Sequence, residues 1–358
     1  MKLLIIKLSS IGDIIHTFPA IIEAKKYIKD LRIDWIIDQN FVDIAKLLNT
    51  NNNFINEILP ISLRDLKKHQ NFTNIKKLLC DLVKLKSKQY DLIIDAQGLL
   101  KSALLTKYIR SLKSAGLDWS SAREPSASFL YTNTYKIEKN LHAIDRIRTL
   151  FSLALNYKIN YIKDPKIYNS LNKQFFAKPI ELSIKNIDKY IVFLHGTTWE
   201  TKEWPIEYWD KLSKLINTKN INVAITFANK NLKEQTFAEQ LINNNDNVII
   251  LSQLNIEQIT GLIANSLAVI AVDTGFAHLS SALNVPIIGI YGATCSNRSG
   301  VLGEYSINLQ STYHCSPCFA KTCLEYQYKR STIKQPCLRE ITPEMVFEKI
   351  EELLTSLR

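Results

Sequence analysis

The stretch LAVIAVDTGFAH, residues 267–278, decides the fold. An apolar, partly β-branched run ends at Val272, a polar turn follows at Asp273 and Thr274, and a helical pattern opens at Gly275. Strand, tight turn and helix form the repeating unit of parallel α/β sheets, whose ligands lie beyond the carboxyl ends of the strands. We therefore expect Asp273 to lie at the ligand-binding edge of a parallel sheet.

The same pattern occurs near the start of the chain. The motif SSIGD, residues 9–13, follows the apolar run 3–6 and precedes a helix-like segment. A chain that builds this arrangement twice is expected to have two α/β domains facing one cleft. Asp13 then has two open interpretations, a helix cap or a general base in that cleft.

Strand-like and helix-like runs alternate in both halves, which predicts parallel sheets with helices on both faces. The polar stretch 157–189 is expected to connect the halves. We place one domain at residues 1–170, a second at 185–340 and a final helix at 342–358, with Thr342 as its N-cap.

Composition allows several partners. The 358 residues are 46% hydrophobic and 22% charged, which is typical of a globular protein. The formal net charge of +11 is explained equally well by an acidic partner, such as phosphorylated lipid, nucleotide or nucleic acid, and by plain lysine richness. Lys7 and Asp13 interrupt the first apolar run, so we expect no transmembrane helix and a cytoplasmic protein.

The motif HGTTWETKEWP, residues 195–205, follows a predicted strand. Thr197 and Thr198 offer hydroxyl groups, Gly196 lets a ligand approach the backbone, and Lys202 supplies a point charge for a phosphate. The alternative is a polar loop with a solvated lysine. The position of the motif at the carboxyl end of a strand favours the interpretation as a phosphate site.

The turn at Asp273 offers a second phosphate site, because the amides of Thr274 and Gly275 at a helix start can hold an anion. The alternative makes Asp273 a cap and His278 a core residue. Two such loops in one half favour a nucleotide diphosphate. The sequence has neither GxGxxG after a strand nor GxxxxGK[ST], so neither a dinucleotide site nor a P-loop is predicted.

Five motifs, in order along the chain, carry a specific resemblance: IIKLSSIGDIIHTFPA, DAQGLLKSA, GLDWSSAREPSASFLY, LHGTTWETKEWP and VDTGFAHLSSALNVPIIGIYGAT. They resemble the lipopolysaccharide heptosyltransferases of glycosyltransferase family 9, and most closely the heptosyltransferase I type. The resemblance implies a GT-B fold, with two Rossmann-like doubly wound domains facing an interdomain cleft. The first domain would bind the acceptor and the second the ADP-sugar.

By the same resemblance, L-glycero-D-manno-heptose moves from ADP-heptose to the Kdo of Kdo-lipid A, in the inner core of lipopolysaccharide, with inversion at the anomeric centre. No cofactor and no catalytic metal are expected. The protein would contact the anionic inner membrane peripherally, on its cytoplasmic face, and bind no nucleic acid. The alternatives are a heptosyltransferase II that adds to the first heptose, and a non-catalytic nucleotide-sugar-binding relative.

The resemblance also assigns residues. Asp13 would be the base that deprotonates the acceptor hydroxyl. The donor would be bound by Thr197, Thr198, Lys202, Glu234, Leu254, Asp273, Thr274, Gly275 and His278. The acceptor would be bound by the basic residues Arg64, Lys67, Lys68, Arg123 and Arg146, although solvated helix charges explain Lys67 and Lys68 equally well.

Four of the six cysteines cluster late in the chain, at Cys315, Cys318, Cys323 and Cys337. The CxxC pair is typical of a structural zinc site, but the spacing to Cys337 is not that of a standard second pair. Reduced thiols in a surface insertion remain an equal alternative.

Overall fold

The computed structural model describes residues 1–50, 52–62, 72–159, 165–177, 189–227, 232–252 and 254–357. It divides the chain into two compact units, Met1–Asp164 and Pro165–Arg358. Arg64, Lys67 and Lys68 lie outside the described residues.

The first unit contains a six-stranded sheet in the order β3-β2-β1-β4-β5-β6, and every strand pair in it is parallel. This is the strand order of the Rossmann fold. The strands are β1 Lys2–Ile6, β2 Arg32–Asp38, β3 Glu57–Ile61, β4 Gln89–Asp95, β5 Arg110–Leu117 and β6 Asn133–Tyr135.

The second unit repeats this topology in a six-stranded sheet of order β12-β11-β10-β7-β8-β9. Its strand pairs are again parallel. The strands are β7 Tyr190–Leu194, β8 Asn222–Phe227, β9 Val248–Ser252, β10 Ala268–Val272, β11 Ile287–Tyr291 and β12 Ser306–Gln310. The prediction of an α/β fold with a parallel sheet in each half is confirmed.

Helices connect the strands on both faces. Those of the first unit are Ile11–Ile15, Phe18–Tyr27, Val42–Leu47, Phe72–Lys86, Leu100–Tyr108 and Ala143–Leu155. Those of the second unit are Lys173–Phe176, Ile206–Asn217, Leu232–Asn244, Ile256–Asn265, Gly275–Ala282, Ser296–Ser299, Leu324–Gln327, Pro336–Arg339 and Pro343–Thr355. Within the described part of the chain, no helix is both long and apolar enough to cross a membrane.

The interior strands were predictable because helices cover both of their faces, which demands continuous apolar runs. In β1, the residues Leu3, Leu4, Ile5 and Ile6 have no exposed surface. The final helix begins at Pro343. The Thr342 hydroxyl accepts a hydrogen bond from the Met345 amide, so Thr342 is the N-cap, as predicted.

Four of the described strands, β3, β5, β6 and β12, lack the apolar run that marks the interior strands in the sequence. Three of them lie at sheet edges, where partial exposure removes the apolar signature. Pro60 interrupts β3, and an edge position tolerates it because one side of the strand needs no hydrogen-bond donor. In β5, Arg110, Leu112 and Lys113 are exposed, so the first half of this strand has no continuous apolar run.

A buried ion pair joins two helices of the first unit. Arg148 donates from Nε and Nη2 to the two carboxylate oxygens of Glu23, each at 2.8 Å, and from Nη1 to Asp145. Burial disfavours the charged guanidinium, but these carboxylates outweigh it and raise the pKa of Arg148 above its ordinary value. Helix Ala143–Leu155 is thereby fixed against helix Phe18–Tyr27.

Removing this guanidinium leaves Glu23 charged and buried without a cation. We expect Arg148→Ala to lower the free energy of unfolding by about 3 kcal/mol, measured by urea denaturation. The exposed pair Lys46–Asp43 gives the control, and Lys46→Ala should cost less than about 1 kcal/mol. Equal, small losses in both variants would contradict a structural role for the buried pair.

Candidate active site

The second unit brings two predicted loops together at the centre of its sheet. β7 and β10 are neighbours there, and the chain leaves them toward opposite sides of the sheet, which makes a crevice at their carboxyl ends. Lys202 Nζ lies 2.8 Å from Asp273 Oδ2, and the Thr197 hydroxyl donates to the Asp273 carbonyl at 3.4 Å. Thr198, in the same loop, is exposed.

Lys202 is held in place rather than solvated. Only 16% of its side chain is exposed, and its ammonium also lies 4.5 Å above the centre of the Trp199 ring. The alternative of a solvated lysine is therefore wrong. A cation restrained in this way loses little side-chain entropy when an anionic ligand arrives.

A helix starts beside this pair. Thr274 is the extended N-cap residue of helix Gly275–Ala282, which has no acidic residue in its first turn. Its first amides lack partners within the helix, and the helix dipole favours negative charge at this end. His278 is 6% exposed and lies in the body of the same helix.

A cavity of about 450 Å³ lies beside the β7 loop, lined by His195, Gly196, Thr197, Glu234 and Phe237 among others. It brings together Thr197 and Glu234, two of the predicted donor residues. A Cβ atom on Gly196 would lie 2.8 Å from Glu234 Oε1, so a larger residue at this position would displace the Glu234 carboxylate. Leu254 is half-buried before helix Ile256–Asn265 and does not line this cavity.

Sequence reasoning missed the aromatic wall of this cavity. The imidazole of His195 stacks on Phe237 with ring centroids 4.0 Å apart. Burial lowers the pKa of His195 to about 4, so the ring is neutral at pH 7. The position of His195 directly after β7 was the one signal in the sequence; nothing marked Phe237.

The first unit has a comparable crevice where β1 and β4 are neighbours. Lys7 Nζ lies 3.4 Å from Asp13 Oδ1 and donates to the Ala96 carbonyl at 3.1 Å. Asp13 Oδ2 accepts from the amide and the hydroxyl of Ser10 at 3.0 and 2.9 Å. Asp13 therefore caps its helix while 45% of its side chain stays exposed.

These contacts set the charge of Asp13. Burial disfavours the carboxylate, but the nearby Lys7 ammonium and the two hydrogen bonds from Ser10 outweigh it and lower the pKa of Asp13 below its ordinary value. Asp13 is therefore ionised and able to accept a proton at neutral pH.

The turn after β4 positions the loop that precedes Asp13, a role that no local sequence pattern reveals. The Gln97 side-chain oxygen accepts from the amides of Leu8 and Ser9 at 2.9 and 3.2 Å. Asp95, fully buried, accepts from the amide of Gln97 at 2.8 Å and from the Tyr131 hydroxyl at 2.7 Å. Because two elements hold it, the loop before Asp13 is fixed against the end of the sheet. The only hint was the motif DAQG after a buried strand.

Two of the predicted acceptor residues are described. Arg123 is exposed in the segment after β5. Arg146 donates to the carbonyl of Ser121 at 2.8 Å, so it anchors the segment that carries Arg123. Their predicted role in acceptor binding stays a prediction.

The four clustered cysteines line one cavity of about 350 Å³ in the second unit. All four are free thiols. Burial and the neighbouring cysteines raise the pKa of Cys337 to about 12. Across the described ranges, no three His, Cys, Asp or Glu side chains are grouped so that they could hold one metal ion.

Comparison with known proteins identifies the family. The pattern of glycosyltransferase family 9 (heptosyltransferase) matches residues 82–329. The lipopolysaccharide heptosyltransferase 1 of Pseudomonas aeruginosa is 34% identical over 365 aligned residues, covering 99% of this chain and 98% of the relative. The chain belongs to glycosyltransferase family 9. The predicted resemblance is confirmed, and the protein is a glycosyltransferase.

Solved structures of heptosyltransferases have the same fold as this chain. The Escherichia coli heptosyltransferase WaaC with ADP has a TM-score of 0.81 and 28% identity, covering 99% of this chain and 100% of that one. The same enzyme with ADP-2-deoxy-2-fluoro heptose has a TM-score of 0.77 and 29% identity, covering 98% and 99% of the two chains. The predicted GT-B fold class is thereby confirmed.

Proposed function

We propose that this glycosyltransferase is a lipopolysaccharide heptosyltransferase of the first type, which moves heptose from ADP-heptose to the Kdo of Kdo-lipid A. The observation that carries the proposal is full-length similarity to a heptosyltransferase 1, combined with a cationic site at the centre of the second sheet. Family members of this type act on Kdo; those of the second type act on heptose.

The donor binds to the second unit in this proposal. The diphosphate lies at the amides of Thr274 and Gly275, and the Lys202 ammonium is shared between it and Asp273. The Thr198 hydroxyl donates to a phosphate oxygen, and the Thr197 hydroxyl turns away from the Asp273 carbonyl to do the same. The Glu234 carboxylate accepts from the ribose hydroxyls in the adjoining cavity, and Leu254, Asp273 and His278 complete the donor surroundings.

The acceptor binds to the first unit, where Arg123 and the other predicted basic residues attract its carboxylate and phosphate groups. Asp13 accepts the proton of the Kdo hydroxyl as the oxygen attacks the anomeric carbon, and ADP leaves from the opposite face. Because the oxygen attacks the face of the anomeric carbon opposite to the departing ADP, this single displacement inverts the anomeric configuration.

Charge developing on the departing ADP is stabilised by Lys202 and by the helix amides. We propose that these groups do the work for which other glycosyltransferases use a divalent metal, so that no metal takes part in the chemical step. The protein would act in the cytoplasm, at the surface of the membrane that holds its acceptor.

The choice of acceptor is tested directly by ADP release from ADP-heptose. We expect release with Kdo-lipid A, and at least tenfold slower release when that acceptor already carries one heptose. The reverse preference would show a heptosyltransferase of the second type. Binding of ADP-heptose without turnover on either acceptor would show a non-catalytic relative.

Asp13→Asn keeps the shape of the side chain and removes the base. We expect kcat to fall about a thousandfold, the range typical of a lost general base, while calorimetry shows unchanged ADP-heptose binding. Asp43→Asn, at an exposed carboxylate paired with Lys46, is the control and should keep full activity. Near-normal turnover by Asp13→Asn would overturn the assignment.

Lys202→Met removes the cation and leaves Asp273 to repel the diphosphate. The expected result is a fall of roughly a hundredfold in kcat/KM for ADP-heptose, measured by steady-state kinetics. Lys211→Met is the matched control, because Lys211 is an exposed lysine of the same unit paired with Glu344. Unchanged kcat and donor KM in the Lys202 variant would count against the proposed donor site.

A further inference from the structure

Helix Leu100–Tyr108 presents an apolar stripe to solvent. Its inner side is buried through Ala103 and Leu105, whereas Leu100 and Leu104 are exposed, Leu104 by 53%. The exposed side also carries Lys101, and the helix has no acidic residue. Exposed apolar side chains that lie together, rather than scattered singly, mark an interaction or membrane surface.

The neighbouring helix Phe72–Lys86 extends the same surface. Both helices pack on one cluster of buried side chains on a single face of the first sheet, and Lys86 Nζ lies 5.8 Å from the centre of the Tyr108 ring. Leu79 and Val83, one helical turn apart, are exposed. The helix carries four lysines and one aspartate.

An aromatic pair continues this surface at the carboxyl ends of the strands. The rings of Trp119 and Phe129 lie 5.3 Å apart, and Phe129 is 75% exposed. The segment Pro125–Leu130 packs on helix Leu100–Tyr108, where Ala127 and Ala103 share a small apolar cluster. The pair therefore lies at the edge of the sheet that carries Asp13.

We propose that this surface, the docking face, seats the protein on an anionic lipid bilayer. The docking face comprises Leu79, Val83, Leu100, Lys101, Leu104, Lys107, Tyr108, Trp119 and Phe129. This inference rests on the proposed function in one respect, because that function gives the enzyme a lipid-linked acceptor. It adds which surface of the protein meets the membrane.

Charge complementarity selects a bilayer over a protein partner. Lysines are interspersed among the exposed leucines, and burying them against a protein would require a matched acidic residue for each. At a bilayer the ammonium groups remain in water beside anionic headgroups while the apolar side chains enter the interface. Tryptophan and phenylalanine at one edge suit the headgroup region.

The position of the docking face next to Arg123 also favours a lipid bilayer. Arg123 is exposed in the segment that joins Trp119 to Phe129. A membrane contact at this aromatic pair would therefore place the headgroup layer beside a predicted acceptor-binding residue. The acceptor sugar would not need to leave the bilayer surface.

The test is flotation of the full chain with vesicles of phosphatidylcholine alone, or of two parts phosphatidylcholine to one part phosphatidylglycerol. We expect binding to the anionic vesicles only, weakened by salt. Lys101→Glu/Lys107→Glu should lower partitioning at least tenfold, because each cation near such a surface contributes about a fivefold factor. Leu104→Ser/Phe129→Ser should lower it by a similar factor.

Matched controls lie elsewhere on the chain. Lys26→Glu/Lys29→Glu alters two exposed lysines, one in helix Phe18–Tyr27 and one just after it. The right-handed connections place that helix on the opposite face of the same sheet. Leu153→Ser/Phe175→Ser removes one exposed leucine and one exposed phenylalanine outside the docking face. Both controls should float like the parent.

Activity separates the two proposals. Docking-face variants should keep the parent kcat/KM on a deacylated, water-soluble acceptor and lose at least tenfold on acceptor embedded in vesicles. Equal flotation of all variants, or equal binding to neutral vesicles, would overturn the docking face and leave the proposed function standing. A parent that floats but transfers no heptose would overturn the function and leave the docking face supported.

Discussion

The structure depends on the parallel pairing of two strands at the centre of each sheet. β1 pairs with β4 and β7 pairs with β10, although neither pair is adjacent in sequence. Parallel strands end at the same edge, so pairing forces the loops that follow them into contact. The approach of Lys202 to Asp273, and of Lys7 to the Ala96 carbonyl, follows from this constraint.

The two crevices use a lysine and an aspartate in opposite ways. In the first unit, buried Lys7 supports Asp13, whose carboxylate stays ionised and half in water. In the second, Asp273 and the Trp199 ring hold Lys202 ready for an anion. The first arrangement suits proton acceptance and the second suits charge on a leaving diphosphate. One topology thus places the same pair of residue types in two different electrostatic arrangements.

The sequence predicts the fold correctly where burial on both faces of a strand determines the residues of a segment. Runs such as LLII in β1 are buried on both faces, and turns such as DTG must follow them, so fold and loop positions were predictable. Edge strands such as β3 and β12 are only partly buried, so their sequences show no continuous apolar run. Contacts between distant residues, such as Gln97 with Leu8 or His195 with Phe237, depend on packing that no local pattern encodes. Asp13 shows the limit most clearly, because the sequence offered a cap or a base and the structure provides the geometry of both.

The proposed role of Asp13, an ionised base that activates the acceptor for a single displacement of ADP, requires inversion at the anomeric carbon. Its most direct test is the anomeric configuration of the transferred heptose, read from one-bond carbon–proton couplings of the purified product by NMR. We expect a configuration opposite to that of the ADP-heptose supplied. Retention of the donor configuration would require a second displacement or a different mechanism, and would contradict the role given to Asp13.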